Sequence, residues 1–306
     1  MTLAVSFARV CLAISSFKND AAVFELLEGA RDALPRFARV LVVDSLGSGD
    51  FERGLRERGL DRHVAYHCYP ENLGSAGNLS RRLELAAQTS ADFVYAVNHD
   101  GTVDSAAISR LVSLTERAPQ PLGALYPLRR MTERAGAFDV TGRYRFPFTA
   151  IRSHHRPAEE LSPVFWSSSN GALYALEPVR RGLLPYADLW MGFEDLGYGW
   201  LLQRSGYHQF AARDVTVEDG YEYRKSPVGY VTRKPSWYAY YYARNLLLTA
   251  RRTEQPALVQ GLALSRVMLE LGVTLALRPD KKARLLATAE GMLDGLRNRS
   301  GKWRFP

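Results

Sequence analysis

The sequence predicts an α/β domain with a mainly parallel central sheet flanked by helices. Throughout the first half of the chain, short runs rich in β-branched and aromatic residues alternate with segments whose apolar residues recur at helical spacing. The chain has 306 residues, of which 46% are hydrophobic and 24% charged. This size and balance are typical of one large globular domain, or of one domain with a modest helical extension.

Four runs in the first half are typical of strands: Val10–Ser15, Val40–Asp44, Val64–Tyr69 and Phe93–Val97. The apolar residues between and after these runs recur at helical spacing, in three groups: Val23, Leu27, Ala30 and Leu34; Leu79, Leu83 and Ala86; Ile108, Leu111 and Val112. This alternation of strand and helix predicts consecutive parallel strands, each connected to the next by a helix.

The second half of the chain is less regular. Residues 129–160 lack periodicity and predict a long loop, and residues 164–220 predict a second structured block. Residues 236–252 predict a helix. An apolar stripe then predicts a last helix that begins near Pro279, formed by Leu285, Leu286, Ala289, Met292, Leu293 and Leu296. We therefore predict one domain over residues 1–252 and a C-terminal helical extension over residues 253–306.

The net charge of +8 suits a phosphate-bearing ligand, a nucleic acid or an anionic membrane surface. Nucleic acid is the weakest of these candidates because no nucleic-acid-binding motif accompanies the charge. Cys11 and Cys68 each lie in an apolar run, which predicts buried free thiols and a reducing cytoplasm. The apolar segment 257–277 carries Arg266 and Glu270, which argue against a membrane-spanning helix.

Polar residues follow the predicted strands, where a parallel α/β sheet binds its ligands. They form four segments: Ser15-Ser16-Phe17, Asp44 to Asp50, Asn72 to Asn78, and Asn98-His99-Asp100-Gly101. The turn after the first strand has no glycine and no Walker loop is present, so neither a dinucleotide fingerprint nor a P-loop accounts for these residues.

The order of these motifs resembles family 2 glycosyltransferases of the GT-A fold. Val42-Val43-Asp44 resembles the family's strand-two motif, and Asn72-Leu73-Gly74 followed by Gly77-Asn78 resembles its N-L-G segment. Residues 93–100 occupy the place of its D-x-D strand. Glu194-Asp195, with Arg204 and Gly206-Tyr207 beyond it, resembles its E-D helix. Tyr241-Tyr242-Ala243-Arg244-Asn245 is similar to a segment of rhamnosyl- and galactofuranosyl-transferase-like members.

The resemblance implies a Rossmann-like nucleotide-binding half, an acceptor half and an inverting transfer from a UDP- or dTDP-sugar. The residues it implies around the nucleotide are Ser16, Asp44, Asn72, Gly74, Asn98 and Asp100. It implies Asp100 as ligand of a Mg²⁺ or Mn²⁺ ion, which would neutralise charge on the leaving diphosphate. Asp195 is implied as the base that deprotonates the acceptor hydroxyl, and Glu194 would orient the acceptor.

Two departures from the family pattern affect the predicted metal site. The first Asp of D-x-D is Asn98, a neutral residue. The chain reads Val217-Glu218-Asp219-Gly220 where relatives have a metal-ligating His. By its position in the sequence, Asp219 is the expected replacement ligand, and Glu218 is the alternative. We expect a weaker metal site as a result.

Several of these residues also have structural explanations. Asp44 and Asp100 are typical helix caps, Asn72-Leu73-Gly74 suits a turn, and Glu194-Asp195 suits a helix start. Trp166 and Trp190 are as compatible with core packing as with stacking on a sugar. The loop arginines (129, 130, 143, 145, 152 and 156) suit either an acceptor's phosphate or solvent.

The function that this sequence predicts is transfer to a hydroxyl of a glycan, a lipid-linked glycan or a secondary metabolite. We expect a cytoplasmic enzyme that contacts the inner membrane face when its acceptor is lipid-linked. The alternative is a non-catalytic module that binds nucleotide-sugar or glycan through a degenerate metal site.

Overall fold

The computed structural model describes residues 7–47, 49–130, 138–139, 157, 159–218, 223–226, 229–232, 234–278 and 280–303. The strands are β1 (Val10–Ser16), β2 (Arg39–Ser45), β3 (Val64–Tyr69), β4 (Phe93–Asn98), β5 (Leu122–Arg130), β6 (Phe138–Asp139), β7 (Leu161–Pro163), β8 (Ala172–Ala175), β9 (His208–Glu218), β10 (Tyr223–Ser226) and β11 (Gly229–Thr232). The helices are α1 (Asp20–Gly29), α2 (Phe51–Glu57), α3 (Gly74–Ala87), α4 (Ser105–Thr115), α5 (Glu177–Arg180), α6 (Glu194–Arg204), α7 (Tyr238–Arg252), α8 (Ala257–Leu277) and α9 (Lys281–Leu296).

The described strands form a mixed, mainly parallel sheet in the order β3-β2-β1-β4-β8-β5-β9-β7, with β6 paired to β5. Strands β3, β2, β1 and β4 are mutually parallel, and their bounds match the four predicted runs to within a residue or two. The short strand β8 then pairs antiparallel with both β4 and β5. Strands β10 and β11 pair separately. The predicted fold class is confirmed.

Helices cover both faces of the sheet because strand residues point alternately to opposite sides. On β1, Leu12 and Ile14 join the apolar layer that includes α1, α2 and α4. Cys11 and Ala13 face the layer formed by α3, α5 and α6. Cys11 is buried, as predicted, but Cys68 is exposed at the sheet edge, so the prediction that it is buried is wrong.

The C-terminal helices pack on α7. Leu246 and Ala250 of α7 form a buried cluster with Val259, Ala263 and Val267 of α8. α7 thus shares a core with α8 and α9 although it precedes the predicted boundary at residue 253, and the two-domain division stays a prediction. Within the described residues, Ala257–Ala276 is the one stretch of helix long and apolar enough to cross a membrane, by length and composition only.

The last helix exists where the sequence predicts it, but most of its apolar stripe does not face the core: Met292 packs against the cluster of α6, α7 and α8, whereas the leucines at 286, 293 and 296 are exposed. Gly291 and Gly295 lie against α7, where a Cβ on Gly291 would sit 2.3 Å from the Tyr240 carbonyl oxygen. This contact requires a residue without a side chain, so the small residues of α9 form its buried face. Leu286 and Leu293 are exposed on the opposite face.

Candidate active site

A cavity of about 210 Å³ opens beyond the carboxyl ends of β1, β2 and β4, beside the first turns of α3 and α6. Six of the predicted site residues line it: Ser16, Asn72, Gly74, Asn98, Asp100 and Glu194. It is also lined by Ser45, Ser75 and Asn78 of the polar segments, and by residues that the sequence analysis did not single out, among them Arg82, Ser169 and Met191. Separate strand ends therefore contribute to one site, as in other α/β sheets.

The turn that enters α3 is built around Gly74. Its backbone N–H donates to Asn72 Oδ1 at 2.9 Å, and its φ is +67°. A Cβ at this position would lie 2.0 Å from the Trp190 carbonyl oxygen, so only glycine fits. Trp190 Nε1 donates to the Asn72 carbonyl oxygen at 3.0 Å. The turn expected as the structural alternative is present, and it brings the N-terminus of α3 to the cavity. The Gly74 and Ala76 backbone N–H groups donate to Asn72 Oδ1 and to the Trp190 carbonyl oxygen, so it is the helix dipole that favours an anion here.

Arg82 forms part of the back wall of the cavity and is only 2% exposed. Its guanidinium donates to the carbonyl oxygens of Ala13 and Val97 at 3.3 and 2.9 Å, and to Asn98 Oδ1 at 3.4 Å. Burial lowers its pKa to about 10, which leaves it charged at neutral pH. Arg82 thus links α3 to β1 and β4 and places a positive charge behind the cavity. Helical spacing alone could not indicate that this arginine is buried.

Asp44 lies beneath the cavity instead of on its surface. Its side chain is fully buried, and Tyr66 Oη donates to its Oδ2 at 2.7 Å. Burial raises the pKa of Asp44, while the hydrogen bond from Tyr66 acts in the opposite direction. The neighbouring Ser45 and Ser16 line the cavity. Neither Asp44 nor Asp100 caps a helix here, because the N-cap of α2 is Asp50 and that of α4 is Asp104.

Glu194 and Asp195 begin α6 and have different environments. Glu194 lines the cavity, and its Oε2 is buried without a hydrogen-bond partner among the described residues. Burial, and then the neighbouring charge of Asp195, raise the pKa of Glu194 to about 7. Asp195 lies behind the wall, where its Oδ1 accepts from the Ser169 backbone N–H at 3.1 Å. Burial raises the pKa of Asp195 as well, against the hydrogen bonds from Ser169.

Two residues of α7 hold the segment that precedes α6. Asn245 Nδ2 donates to the carbonyl oxygens of Leu189, Met191 and Gly192 at 2.7 to 3.0 Å. Arg244 Nη2 donates to the Leu189 carbonyl oxygen at 2.7 Å. Both side chains are buried. The Tyr-Arg-Asn segment noted in the sequence therefore positions the cavity wall from behind and does not line it.

Lys234 is a second cationic residue that the sequence analysis missed. Burial lowers its pKa, while the charges of Glu194 and Asp100 raise it, so its ammonium group lies within electrostatic reach of two cavity residues. Its Nζ is 5.1 Å from the centre of the Tyr238 ring. No sequence motif marks this lysine.

The two candidate tryptophans lie outside the cavity lining. The Trp190 ring is buried and stacks on Tyr241 at a centroid distance of 5.0 Å. This burial and stacking favour a packing role for the ring, and stacking of Trp190 on a sugar stays a prediction. Trp166 is partly buried and packs in the cluster formed by α6, α7 and α8.

The described residues do not assemble a complete divalent-metal site. Asp100 is exposed at the cavity, but Asn98 Oδ1 already accepts from Ser15 Oγ at 3.1 Å and from Arg82. In the part of the chain that the structure describes, no three His, Cys, Asp or Glu side chains form a metal-binding group. Asp219 lies outside the described residues, as do the loop arginines 143, 145, 152 and 156. Glu218, the competing ligand, pairs with Arg130 at 3.2 Å.

This fold is the GT-A type of glycosyltransferase fold. Residues 1–349 of TarS from S. aureus match it with a TM-score of 0.59 and 12% identity, over 94% of this chain and 80% of that one. The mannosyltransferase PcManGT from Pyrobaculum calidifontis matches with a TM-score of 0.57 and 16% identity, over 95% of this chain and 87% of that one. No protein-family model and no curated protein matches the sequence.

Proposed function

We propose that this chain is an inverting glycosyltransferase that uses a UDP- or dTDP-sugar. The observation that carries this proposal is the shared cavity, which both the N-terminus of α3 and Glu194 line. Helix N-termini bind phosphate groups, and a carboxylate that titrates near neutrality suits proton transfer. Solved neighbours support this ligand class: TarS in complex with UDP-GlcNAc and with UDP, and PcManGT in complex with GDP-Man and Mn²⁺.

The donor would bind with its nucleoside beside Ser16, Asn72 and Asn98, above the buried Asp44. Its diphosphate would lie at the N-terminus of α3, close to Gly74 and Ser75. The charges of Arg82 and Lys234 would stabilise negative charge that grows on the leaving diphosphate. One displacement at the anomeric carbon, with one base on the acceptor side, inverts that centre.

We assign the base to the Glu194–Asp195 pair. Asp195 takes this role by the resemblance, and its hydrogen bond from Ser169 fixes its orientation. Glu194 lines the cavity and would orient the acceptor or share the proton. In single-turnover assays Asp195→Asn should lose about 10³-fold in rate and Glu194→Gln about 10- to 100-fold, with nucleotide affinity unchanged in both. A larger loss on Glu194→Gln than on Asp195→Asn would transfer the role of base to Glu194.

Metal dependence is part of the proposal and has a separate test. Mg²⁺ or Mn²⁺ would be held by Asp100 and Asp219, and would supply positive charge to the diphosphate. The ion pair between Glu218 and Arg130 favours Asp219 over Glu218. Nucleotide affinity should fall on chelation with EDTA and on Asp100→Asn. Unchanged affinity after both would assign charge neutralisation to Arg82 and Lys234 alone.

A non-catalytic nucleotide-sugar or glycan-binding module is the second candidate, favoured by Asn98 and by the lack of a metal-binding group within the described residues. Both candidates bind nucleotide, which raises apparent stability in a thermal-shift panel. Only the enzyme consumes a donor with an acceptor or with water. Binding without turnover of any UDP- or dTDP-sugar would favour the module. As an enzyme, the chain would act in the cytoplasm on a glycan, a lipid-linked glycan or a small molecule.

A further inference from the structure

The exposed face of α8 carries no charged side chain. Its two charged residues turn toward the protein, where Arg266 Nε donates to Tyr242 Oη at 3.1 Å and Glu270 pairs with Arg278 at 3.2 Å. A surface helix ordinarily has the opposite arrangement, with its charges in water and its apolar residues in the core. α8 has 21 residues and is about 31 Å long, so this uncharged face is extensive.

α9, which contacts α8, also exposes large apolar residues. Eight large apolar residues of the two helices are between 38% and 74% exposed: Leu258, Leu264, Met268, Leu269, Leu275, Leu286, Leu293 and Leu296. We call this surface the α8–α9 face. Large exposed apolar patches on soluble monomers ordinarily bind a partner, and two neighbouring helices here both expose such residues.

Basic residues lie at both ends of the α8–α9 face. Residues 278–280 connect the two helices, so the exposed Lys281 and Lys282 lie beside the end of α8. At the opposite end Arg251 Nη1 donates to the Leu296 carbonyl oxygen at 3.2 Å, and Arg297 is exposed next to it. Residues 251–303 contain ten Lys and Arg but five Asp and Glu.

We propose that the α8–α9 face docks on an anionic phospholipid surface. Apolar residues would enter the boundary between headgroups and acyl chains, while lysines and arginines at the two ends contact lipid phosphates. An anionic lipid surface satisfies both features at once. A second copy of this chain covers the leucines equally well but brings the same excess of positive charge, which favours lipid over self-association.

Docking would set the orientation of the cavity. Gly291 brings α9 against the backbone of α7, and Arg244 and Asn245 of α7 hold the cavity wall at Leu189 and Met191. The face and the cavity are therefore parts of one packed unit. An acceptor embedded in the same lipid surface would meet an enzyme held in a fixed orientation.

Cosedimentation with vesicles tests the proposal without donor or acceptor, so its outcome is independent of the proposed transferase activity. The full chain should bind phosphatidylcholine vesicles that contain about one third phosphatidylglycerol, and bind pure phosphatidylcholine at least about tenfold more weakly. Raised salt should release it. Met268→Ser/Leu286→Ser/Leu293→Ser should lower partitioning by at least about tenfold, because each leucine or methionine loses apolar transfer energy.

A pair of charge variants provides the matched control. Lys281→Gln/Lys282→Gln should weaken binding about tenfold. Arg53→Gln/Arg181→Gln removes the same charge from exposed side chains on α2 and beside α5 and should have little effect. Equal binding by wild type and the triple variant would overturn the proposal, as would absence of vesicle binding. If the wild type is a dimer in solution and the triple variant is a monomer, the face binds a second copy of the chain instead. Retention through salt and alkaline washes would indicate insertion instead of docking.

Discussion

The cavity and the α8–α9 face depart from the usual distribution of side chains in opposite directions. Around the cavity, polar and charged groups are buried: Arg82, Asp44 and Asn78 are at most 5% exposed. On the α8–α9 face, leucines and methionine are exposed. Each departure costs stability unless another interaction offsets it. Hydrogen bonds offset only part of the cost at the cavity, because Asp44 Oδ1, Asn78 Oδ1 and Arg82 Nε have no partner among the described residues. Buried polar groups of this kind favour a polar ligand, whereas exposed apolar groups favour an apolar partner.

Among the variants at the cavity, Arg82→Met should have the largest effect on stability and on nucleotide binding. It leaves the carbonyl oxygens of Ala13 and Val97 without this donor and releases Asn98. We expect a loss of about 3 to 4 kcal/mol in the free energy of unfolding, and of at least about tenfold in nucleotide affinity.

Arg180→Met is the matched control, measured by urea denaturation and nucleotide titration. Arg180 also donates to three backbone carbonyl oxygens, those of Ala87, Thr89 and Ala91, but its side chain is exposed. It should cost about 1 kcal/mol and leave nucleotide affinity unchanged. Equal effects of the two variants would contradict a special role for burial at Arg82.

Gly74→Ala tests the turn that positions the N-terminus of α3. Gly74 and Gly59 have nearly equal φ values, +67° and +64°, but only a Cβ at position 74 meets backbone, 2.0 Å from the Trp190 carbonyl oxygen. Gly59→Ala should cost about 1 kcal/mol, the price of a left-handed alanine. Gly74→Ala should cost about 3 kcal/mol because the Trp190 backbone must also move. Equal thermal midpoints for the two variants would show that this contact is unimportant.

Gly291→Ala tests the close contact between α9 and α7. Because α9 packs through its glycines, Leu286 and Leu293 are exposed to solvent. Its Cβ would lie 2.3 Å from the Tyr240 carbonyl oxygen, whereas nothing lies within 4 Å at Gly261 on α8. We expect Gly291→Ala to destabilise by about 2 kcal/mol and Gly261→Ala to stabilise by up to about 1 kcal/mol, since alanine is the better helix former. Stabilisation by both in chemical denaturation would mean that α9 does not pack as described.

The pH dependence of stability tests the burial of Glu194. Its pKa rises from 4.5 to about 7 in the folded state, so the folded chain binds the proton more tightly than the unfolded chain. Stability from this group is therefore fully present below about pH 4.5 and is lost as the pH rises to about 7. Glu194→Gln should remove this decline and stabilise the chain at pH 8 by about 1 to 3 kcal/mol. A variant with the wild-type pH profile would contradict the assignment.

Leu286→Ser should have the smallest effect, because this side chain is 56% exposed. We expect a change within about 0.5 kcal/mol in the free energy of unfolding, against a loss of more than about 3 kcal/mol for Leu246→Ser on the buried face of α7. A large loss for Leu286→Ser would mean that the leucine is packed, and the α8–α9 face would lose its basis.

The parallel half of the fold could be predicted because burial on both faces makes β1, β2 and β4 nearly continuous apolar runs. The four residues of β8 were too short a run to identify, although this strand reverses the direction of the sheet. On α9, an apolar stripe ordinarily indicates the core face. The pattern misled here because Gly291 and Gly295 pack instead.

For the candidate site too, local sequence patterns predicted some residues and missed others. Strand ends indicated Ser16, Asn98 and Asp100, and these residues do line the cavity. Whether the side chains of Arg82 and Lys234 point toward the cavity depends on the tertiary structure, and no local sequence pattern indicates it. The burial of Arg82 depends on the packing of α3 against β1 and β4.

A crystal structure of the chain with a bound UDP-sugar tests the proposed site most directly. We expect the diphosphate at the first turn of α3, with an oxygen within hydrogen-bond distance of the Ser75 backbone N–H, and the anomeric carbon facing Glu194 and Asp195. A nucleotide bound elsewhere on the chain, or one with its sugar turned away from these two carboxylates, would contradict the proposed transferase.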